Sequence, residues 1–305
     1  MADDRLPFDR AVVRRRRDRA AAGFHAHDFL VMEIARRLVE RLGDMRRDFP
    51  LALDLGCHTG QLGRLLAGGT KVGRLVQCDL SPRMARRAGG LAVAADEEAL
   101  PFAEGRFDLV VSGLGLHRVN DLPGALVQIR RALKPDGLFL AALFGGETLG
   151  ELRRAWLAAE AAGEGGAGPR VAPFVRLEDA AGLLQRAGFA LPVADGERIS
   201  VTYDEPLKLM RDLRGMGESN ALHQRRRQPT RRATLMEAAA RYRALYADAD
   251  GRVPATFEII HLCGWAPDAS QQRPLRPGSA AARLADAMGT IERSTGVAAG
   301  PRRHG

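Results

Sequence analysis

The chain has 305 residues, 46% apolar and 27% charged. That is room for one large domain or one and a half, and it excludes a collagen-like fibre, wholesale disorder and a small disulfide scaffold. The formal charge is +9, from 46 basic and 37 acidic residues, but only Lys71, Lys134 and Lys208 are lysines. An excess of arginine with abundant alanine reads as a coding bias rather than a nucleic-acid footprint, and with 5% aromatics no platform for stacking single strands is expected.

Cys57, Cys78 and Cys263 lie far apart with no CxxC pair, which argues against a zinc knuckle and for a reducing compartment. No metal site is expected. No apolar run approaches the roughly 18–20 residues of a membrane helix, and the N-terminus lacks the apolar stretch of a secretory signal. The expectation is a cytoplasmic protein with at most peripheral contact at the inner face of the membrane.

Residues 1–27 are a polar arm carrying Arg14-Arg15-Arg16-Arg17, expected to be solvated. Residues 28–42 follow as an amphipathic helix, with Leu30, Ile34 and Leu38 at spacing four. Short apolar runs at 51–55, 74–78, 92–95, 107–112 and 138–144 then alternate with helix-length segments at 61–67, 82–88 and 122–133. Such alternation predicts an α/β fold, a parallel sheet with helices on both faces. Lys134-Pro135-Asp136-Gly137 reads as a turn before the fifth strand. The second half is less regular. It has a glycine-rich loop at 163–168, helices at 177–187, 206–216 and 230–247, and strands at 197–203 and 256–265. From 266 onward Pro, Gly, Ser, Ala and Arg predict a loosely ordered tail. The organisation expected is thus an arm at 1–27, a binding core at 28–150, its C-terminal part at 151–265 and the tail at 266–305.

The first strand runs into Asp54-Leu55-Gly56-Cys57-His58-Thr59-Gly60. Glycines at a strand-to-helix turn let backbone approach a ligand. The second strand closes on Asp79, 19 residues past Gly60, where a carboxylate can accept both hydroxyls of a ribose. Asp96 closes the third strand on the same edge, where open α/β sheets bind ligands. A nucleoside cofactor follows from this ordered set. Asp54 sits where a dinucleotide would need its pyrophosphate, which charge disfavours; the ammonium and sulfonium of S-adenosylmethionine would be welcome instead.

The set DLGCHTG, CDLS (78–81), ADEEALPF (95–102), FDLVVS (107–112) and LKPDGLFLAALF (133–144) resembles the class I S-adenosylmethionine-dependent methyltransferases. Phe8-Asp9-Arg10, Leu116-His117, Val119–Pro123, Phe144–Leu149, Gly215–Asn220 and Gly264-Trp265 are similar to the complex I assembly factor 5 family, which the resemblance covers from about Phe8 to Gly278. The resemblance implies a Rossmann-like fold whose mostly parallel seven-stranded sheet has an antiparallel last strand, with a helical insertion before it. It implies that the Asp54-Leu55-Gly56-Cys57 turn and Gly60 hold the methionine end of S-adenosylmethionine. Asp79, followed by Leu80, would take the ribose, and Asp96 with Glu97 would lie beside the adenine. It further implies arginine hydroxylation of a complex I subunit during assembly, with related enzymes methylating carboxylates. Two positions depart from the family pattern. His58 replaces the middle glycine of the turn, and Arg118 stands where tryptophan is frequent.

His117 follows the fourth strand, where it is a candidate general base on substrate. Glu218 is a candidate partner for a guanidinium, and Asn220 lies in the same loop over the expected cofactor mouth. His25, His27 and Asp28 are the nearest thing to a metal cluster, but the plainer reading has Asp28 capping the next helix and both histidines exposed. Three functions stand side by side. The first is an enzyme modifying a protein side chain, by methylation or arginine hydroxylation, in complex I assembly. The second is a small-molecule carboxylate or hydroxyl O-methyltransferase, and the third a non-catalytic assembly chaperone. The Asn/Asp-Pro-Pro-Tyr/Phe loop of base-modifying enzymes is absent, so no nucleic-acid substrate is expected.

Overall fold

The computed structural model describes residues 6–69, 71–162, 166–272 and 283–291. The chain divides into two units, residues 1–268 and 269–305. In the second, residues 269–272 and 283–291 are described and include a five-residue helix, Leu284–Met288, inside the region expected to be a loose tail. The first unit holds the sheet and the helices packed on it.

Its elements in chain order are α1 (Arg10–Ala20), α2 (Phe29–Gly43), β1 (Phe49–Leu55), α3 (Gln61–Leu66), β2 (Val72–Asp79), α4 (Pro82–Ala88), β3 (Leu91–Ala94), β4 (Phe107–Gly113), α5 (Leu122–Ala132) and β5 (Leu133–Phe144). There follow α6 (Gly150–Ala161), α7 (Leu177–Arg186), β6 (Ala190–Tyr203), α8 (Pro206–Gly215), α9 (Arg232–Tyr246) and β7 (Val253–Trp265). The strands form one sheet in the order β3-β2-β1-β4-β5-β7-β6. β1 to β5 pair in parallel, and β7 runs antiparallel to both its neighbours. The expected class I methyltransferase topology is therefore the observed one. Strand order reverses between β1 and β4, and the crevice at their carboxyl ends is where such sheets take ligands.

Alternation along β5 shows why this sequence makes two layers of helices. Leu138, Leu140, Ala142 and Phe144 face a core shared with α2, α6 and α9. Phe139, Ala141 and Leu143 face a second core shared with α5 and α7. All are nearly sealed from water, and each large side chain so buried contributes about 1.5–3 kcal/mol.

Several boundaries differ from expectation. The turn at Lys134–Gly137 lies within β5 as an irregularity, with Asp136 at φ 58 and a register shift opposite Phe107 and Leu109. β6 starts at Ala190, because pairing with β7 carries it through Pro192, Asp195 and Gly196, which interrupt its apolar pattern. α6 was not foreseen; its buried Leu152, Ala155, Trp156 and Ala159 lie at helical spacing. The glycine-rich loop at 163–168 falls partly outside the described residues.

The largest correction concerns the arm. Asp9 accepts from the Val12 amide at 3.1 Å and starts α1 as its N-cap. Arg14 and Arg15 are exposed, as expected of a solvated run, but Arg17 is 1% exposed. Val13, Arg17 and Ala20 occupy one face of α1 that packs inward, and Phe24, in the short turn that follows, is buried as well. Asp28 stands at the N-cap of α2 without capping it; its carboxylate accepts from Gln61 at 2.8 Å instead. His25 is exposed as expected, whereas the His27 ring lies 2.8 Å from Asp212.

Candidate functional site

The turn after β1 is forced by its glycines. Gly56 has φ 76, and a Cβ there would lie 2.6 Å from the Cα of Gly115. Gly60 has φ 86 and the same difficulty against Ala88. This brings the loop carrying Gly115, Leu116, His117 and Arg118 against the β1 turn. Asp54, Gly56, Cys57, Asp79 and Glu97, expected to share one ligand, are brought together at the carboxyl edge and buried, as are Leu55 and Gly60, while Leu80 and Asp96 are half-buried.

Asp54 is 1% exposed and its Oδ2 has no partner. Burial, aided by the charge of Asp79, pushes its carboxyl up to about 8. A buried carboxyl without a partner is costly and suits a cationic ligand group. Asp79 accepts from the His58 amide at 3.1 Å and the Ser81 amide at 2.7 Å. Burial raises its carboxyl and the Arg17 guanidinium opposes the rise. The donor set therefore fits a nucleoside that carries an ammonium group: Asp54 for the ammonium, backbone held open by glycine, and Asp79 and Glu97 for ribose and base. The space beside it is held by two side chains of the chain itself.

The first is His58, at φ 51. Its ring points inward, is stacked on Phe24 at 5.4 Å and has Nε2 3.1 Å from the Gly113 carbonyl. Burial, with the nearby charge of Arg17, pulls the imidazole down to about 4, so it is neutral at pH 7 and donates from Nε2 while Nδ1 is unpartnered. The second is Arg17. It donates to Glu97 at 2.7 Å and to the Gly115 carbonyl at 3.3 Å, and lies 3.5 Å from Asp79. Arg10, one more α1 residue, pairs with Asp96 and Glu97 and donates to the Arg118 carbonyl at 3.1 Å. Burial alone would raise the Glu97 carboxyl, but Arg17 and Arg10 hold it below the usual carboxylate range. Sequence reasoning missed both arginines. Their signal was present in the spacing of Arg10, Val13, Arg17 and Ala20, which puts both arginines on one face of α1.

Beyond Gly115 lies a second cavity of about 230 Å³. Phe144, Leu149, Trp156, Phe174 and Phe257 form its walls, and Glu218 and Arg118 its polar end. Glu218 accepts from Arg118 at 2.7 Å and sits 3.1 Å from His117 Nε2, with its side chain 9% exposed. Burial opposes its charge, yet Arg118 and His117 together hold the carboxyl far below the carboxylate range. Burial lowers the His117 imidazole despite Glu218, and the ring packs on Phe144 at 4.6 Å. Asn220 lines the same cavity, but its amide is engaged with Pro169 and Leu222. A wider groove of about 610 Å³ shares Trp156, Arg170, Val171 and Phe174 with this cavity and opens outward past Arg153 and Arg176. Among the described residues no group of three or more His, Cys, Asp or Glu side chains is arranged to hold a metal ion.

Residues 53–141 match the family model described as a methyltransferase domain. Over 286 residues the chain is 44% identical to the arginine-hydroxylase NDUFAF5, mitochondrial, of Rattus norvegicus, covering 92% of this chain and 83% of that protein. It is 44% identical over 280 residues to the Homo sapiens protein of the same name, covering 90% and 81%. It is also 38% identical over 278 residues to the malonyl-[acyl-carrier protein] O-methyltransferase of Halorhodospira halophila, covering 88% and 92%. Among solved structures, a methyltransferase-type protein from Bacillus halodurans superposes with a TM-score of 0.53 at 15% identity, covering 77% of this chain and 99% of that one. At that identity the likeness shows the fold alone. The expectation of a cytoplasmic protein is overturned by the relatives at 43–45% identity, whose names place them in mitochondria. Among the described residues no helix is long and apolar enough to cross a membrane.

Proposed function

The chain belongs to the arginine-hydroxylase NDUFAF5 family, and on that premise we propose that it hydroxylates an arginine side chain of a respiratory complex I subunit during assembly. The observation that carries this reading is a match of 44% identity over 92% of the chain. The methyltransferase core at 53–141 is too short to supply it alone. The apolar cavity that ends at Glu218 gives the reaction a place. Its volume suits one long side chain, its aromatic walls suit an aliphatic stem, and Glu218, whose Oε2 meets both Arg118 and His117, has its other oxygen for a guanidinium. The outer groove would admit the segment of protein that bears the arginine.

S-adenosylmethionine is the cofactor we propose for the crevice beside it. Asp54 would meet its ammonium group, and Asp79, Asp96 and Glu97 its ribose and adenine. Bound there, it supplies an electrophilic methyl group. Hydroxylation draws on other co-reactants: one oxygen atom of O₂ enters a C–H bond, and the other leaves as water with two electrons and two protons from a reductant. His117 and Glu218 lie next to the cofactor turn through Gly115, so both ligands would meet at that loop.

Mass spectrometry of complex I subunits from cells lacking the gene tests the reading. One arginine peptide should lose a single oxygen atom, and the wild-type gene should restore it. Every arginine keeping its native mass would sink the proposal. A second reading has its own observation. Arg118 already neutralises Glu218 at the polar end of the cavity, as Glu160 neutralises Arg170 at its wall, a balance under which a carboxylate substrate is not repelled. Methyl transfer to a malonyl-carrier protein in vitro would favour this alternative, an O-methyltransferase.

A further inference from the structure

The nucleoside crevice is spanned by a side chain that does not belong to it. Asp79 ends β2, Glu97 follows β3 and Gly115 follows β4, and the Arg17 guanidinium lies against all three. Asp79 and Glu97 are each 0% exposed, and Arg17 is 1% exposed. No ribose hydroxyl reaches Asp79 while Arg17 stays in place. Arg10 pairs with Asp96, whose side chain stays 32% exposed.

We propose that α1 is a displaceable latch on the cofactor crevice, with Arg17 as an internal counter-ion that a bound nucleoside replaces. The inference rests on the reading of this crevice as a nucleoside site. Withdrawal of Arg17 would leave Asp79 and Glu97 buried without their cation, and the hydroxyls and base edge of a nucleoside are the donors that would take its place. Outside the crevice the helix is held at its start, where the Asp9 amide donates to the Ala221 carbonyl at 2.9 Å, Asp9 pairs with Arg225 and Phe8 exchanges two hydrogen bonds with Asn120, and along its length, where Asp18 accepts from Ser81 at 2.6 Å and from the Arg83 amide and Val12 and Val13 pack on Ala221 and Leu80. A Cβ built on Gly217, at φ 78, would lie 3.4 Å from the Arg17 Cα, so the Gly217 turn packs on α1 beside Arg17. It also joins the latch to Glu218, so withdrawal of α1 would loosen the loop at the second cavity.

The test is calorimetric titration of S-adenosylhomocysteine into the full chain, paired with hydrogen exchange of the α1 amides. Arg17→Gln removes the counter-ion. Val13→Ala keeps Arg17 and only loosens the seat of α1, so it covers the case in which Arg17→Gln fails to fold. Both variants should bind the nucleoside at least about tenfold more tightly than wild type, and ligand should speed exchange across α1 in the wild-type protein. Weaker binding by Val13→Ala and Arg17→Gln would make Arg17 a ligand of the nucleoside and overturn the latch. So would unchanged affinity, or slower exchange in α1 on binding. If neither wild type nor variants bind, the latch falls together with the nucleoside reading; if wild type binds and the variants bind no more tightly, the latch falls alone.

Discussion

Gly56 and Gly115 meet backbone to backbone, so closely that a Cβ on Gly56 would lie 2.6 Å from the Gly115 Cα. Two penalties then fall on Gly56→Ala. The left-handed φ of 76 costs about 1–2 kcal/mol for an L side chain, and overpacking against backbone that cannot yield costs about 1–3 kcal/mol more. Gly251 has the same φ of 76 with nothing within 4 Å of its Cβ position, so Gly251→Ala should pay the first penalty only. Urea unfolding should show the Gly56 variant clearly less stable than the Gly251 variant, with unchanged m-values. Equal losses would mean that the two loops do not touch.

Glu218 joins Arg118 and His117 at the end of the second cavity. Taking away one member of a buried pair strands the other, at about 3–5 kcal/mol. Glu218→Gln should therefore unfold at markedly lower denaturant concentration at neutral pH. The carboxyl is held below its ordinary value of 4.5, so its contribution is full above that value and fades as pH falls further. Wild type and variant should converge in acid, and a gap that stays constant down to low pH would refute the pairing.

Asp54 behaves in the opposite sense. Its ordinary value is 3.8 and burial with Asp79 raises it to about 8, so the folded chain keeps a proton that the unfolded chain has lost. Stability from this residue is present below pH 3.8 and drains away as pH rises through about 8. Asp54→Asn should gain on wild type over that window. If the proposed nucleoside presents its ammonium here, binding to wild type should also strengthen as pH climbs toward 8 and release protons to buffer, and Asp54→Asn should lose that dependence. Calorimetry in buffers of different ionisation enthalpy reads both effects.

The parallel half of the sheet was legible because each strand there is a short apolar run closed by glycine or aspartate. Asp54, Gly56 and Asp79 could be placed for the same reason: position at a strand end is a local property. Arg17 could not. An arginine in a run of four looks solvated until its partners are known, and Glu97 is 80 positions away. The inward rotamer of His58 likewise depends on Phe24, which belongs to a short turn before α2. Glu218 was found as a cation partner, but the cation it holds is the chain's own Arg118, and pairing across some hundred residues leaves no local trace. β6 was read too short because its first residues pair through β7 rather than through their own apolar pattern.

His58 supplies the last prediction. The residue is 3% exposed, and burial beside Arg17 takes its imidazole from 6.5 to about 4. The unfolded chain then binds a proton below 6.5 that the folded chain refuses until about 4, so stability falls as pH drops through that window, by about 1.4 kcal/mol per pH unit. His58→Asn removes this one titration, and asparagine tolerates the left-handed φ of 51. The burial that pulls His261 down to about 4 acts on both proteins and cancels. At neutral pH the variant should be the less stable, having lost the stack on Phe24 and the bond to the Gly113 carbonyl. Between pH 6.5 and 4 wild type should lose that lead. Parallel stability curves across the window would show that the imidazole is open to water and that its ring does not fill the crevice.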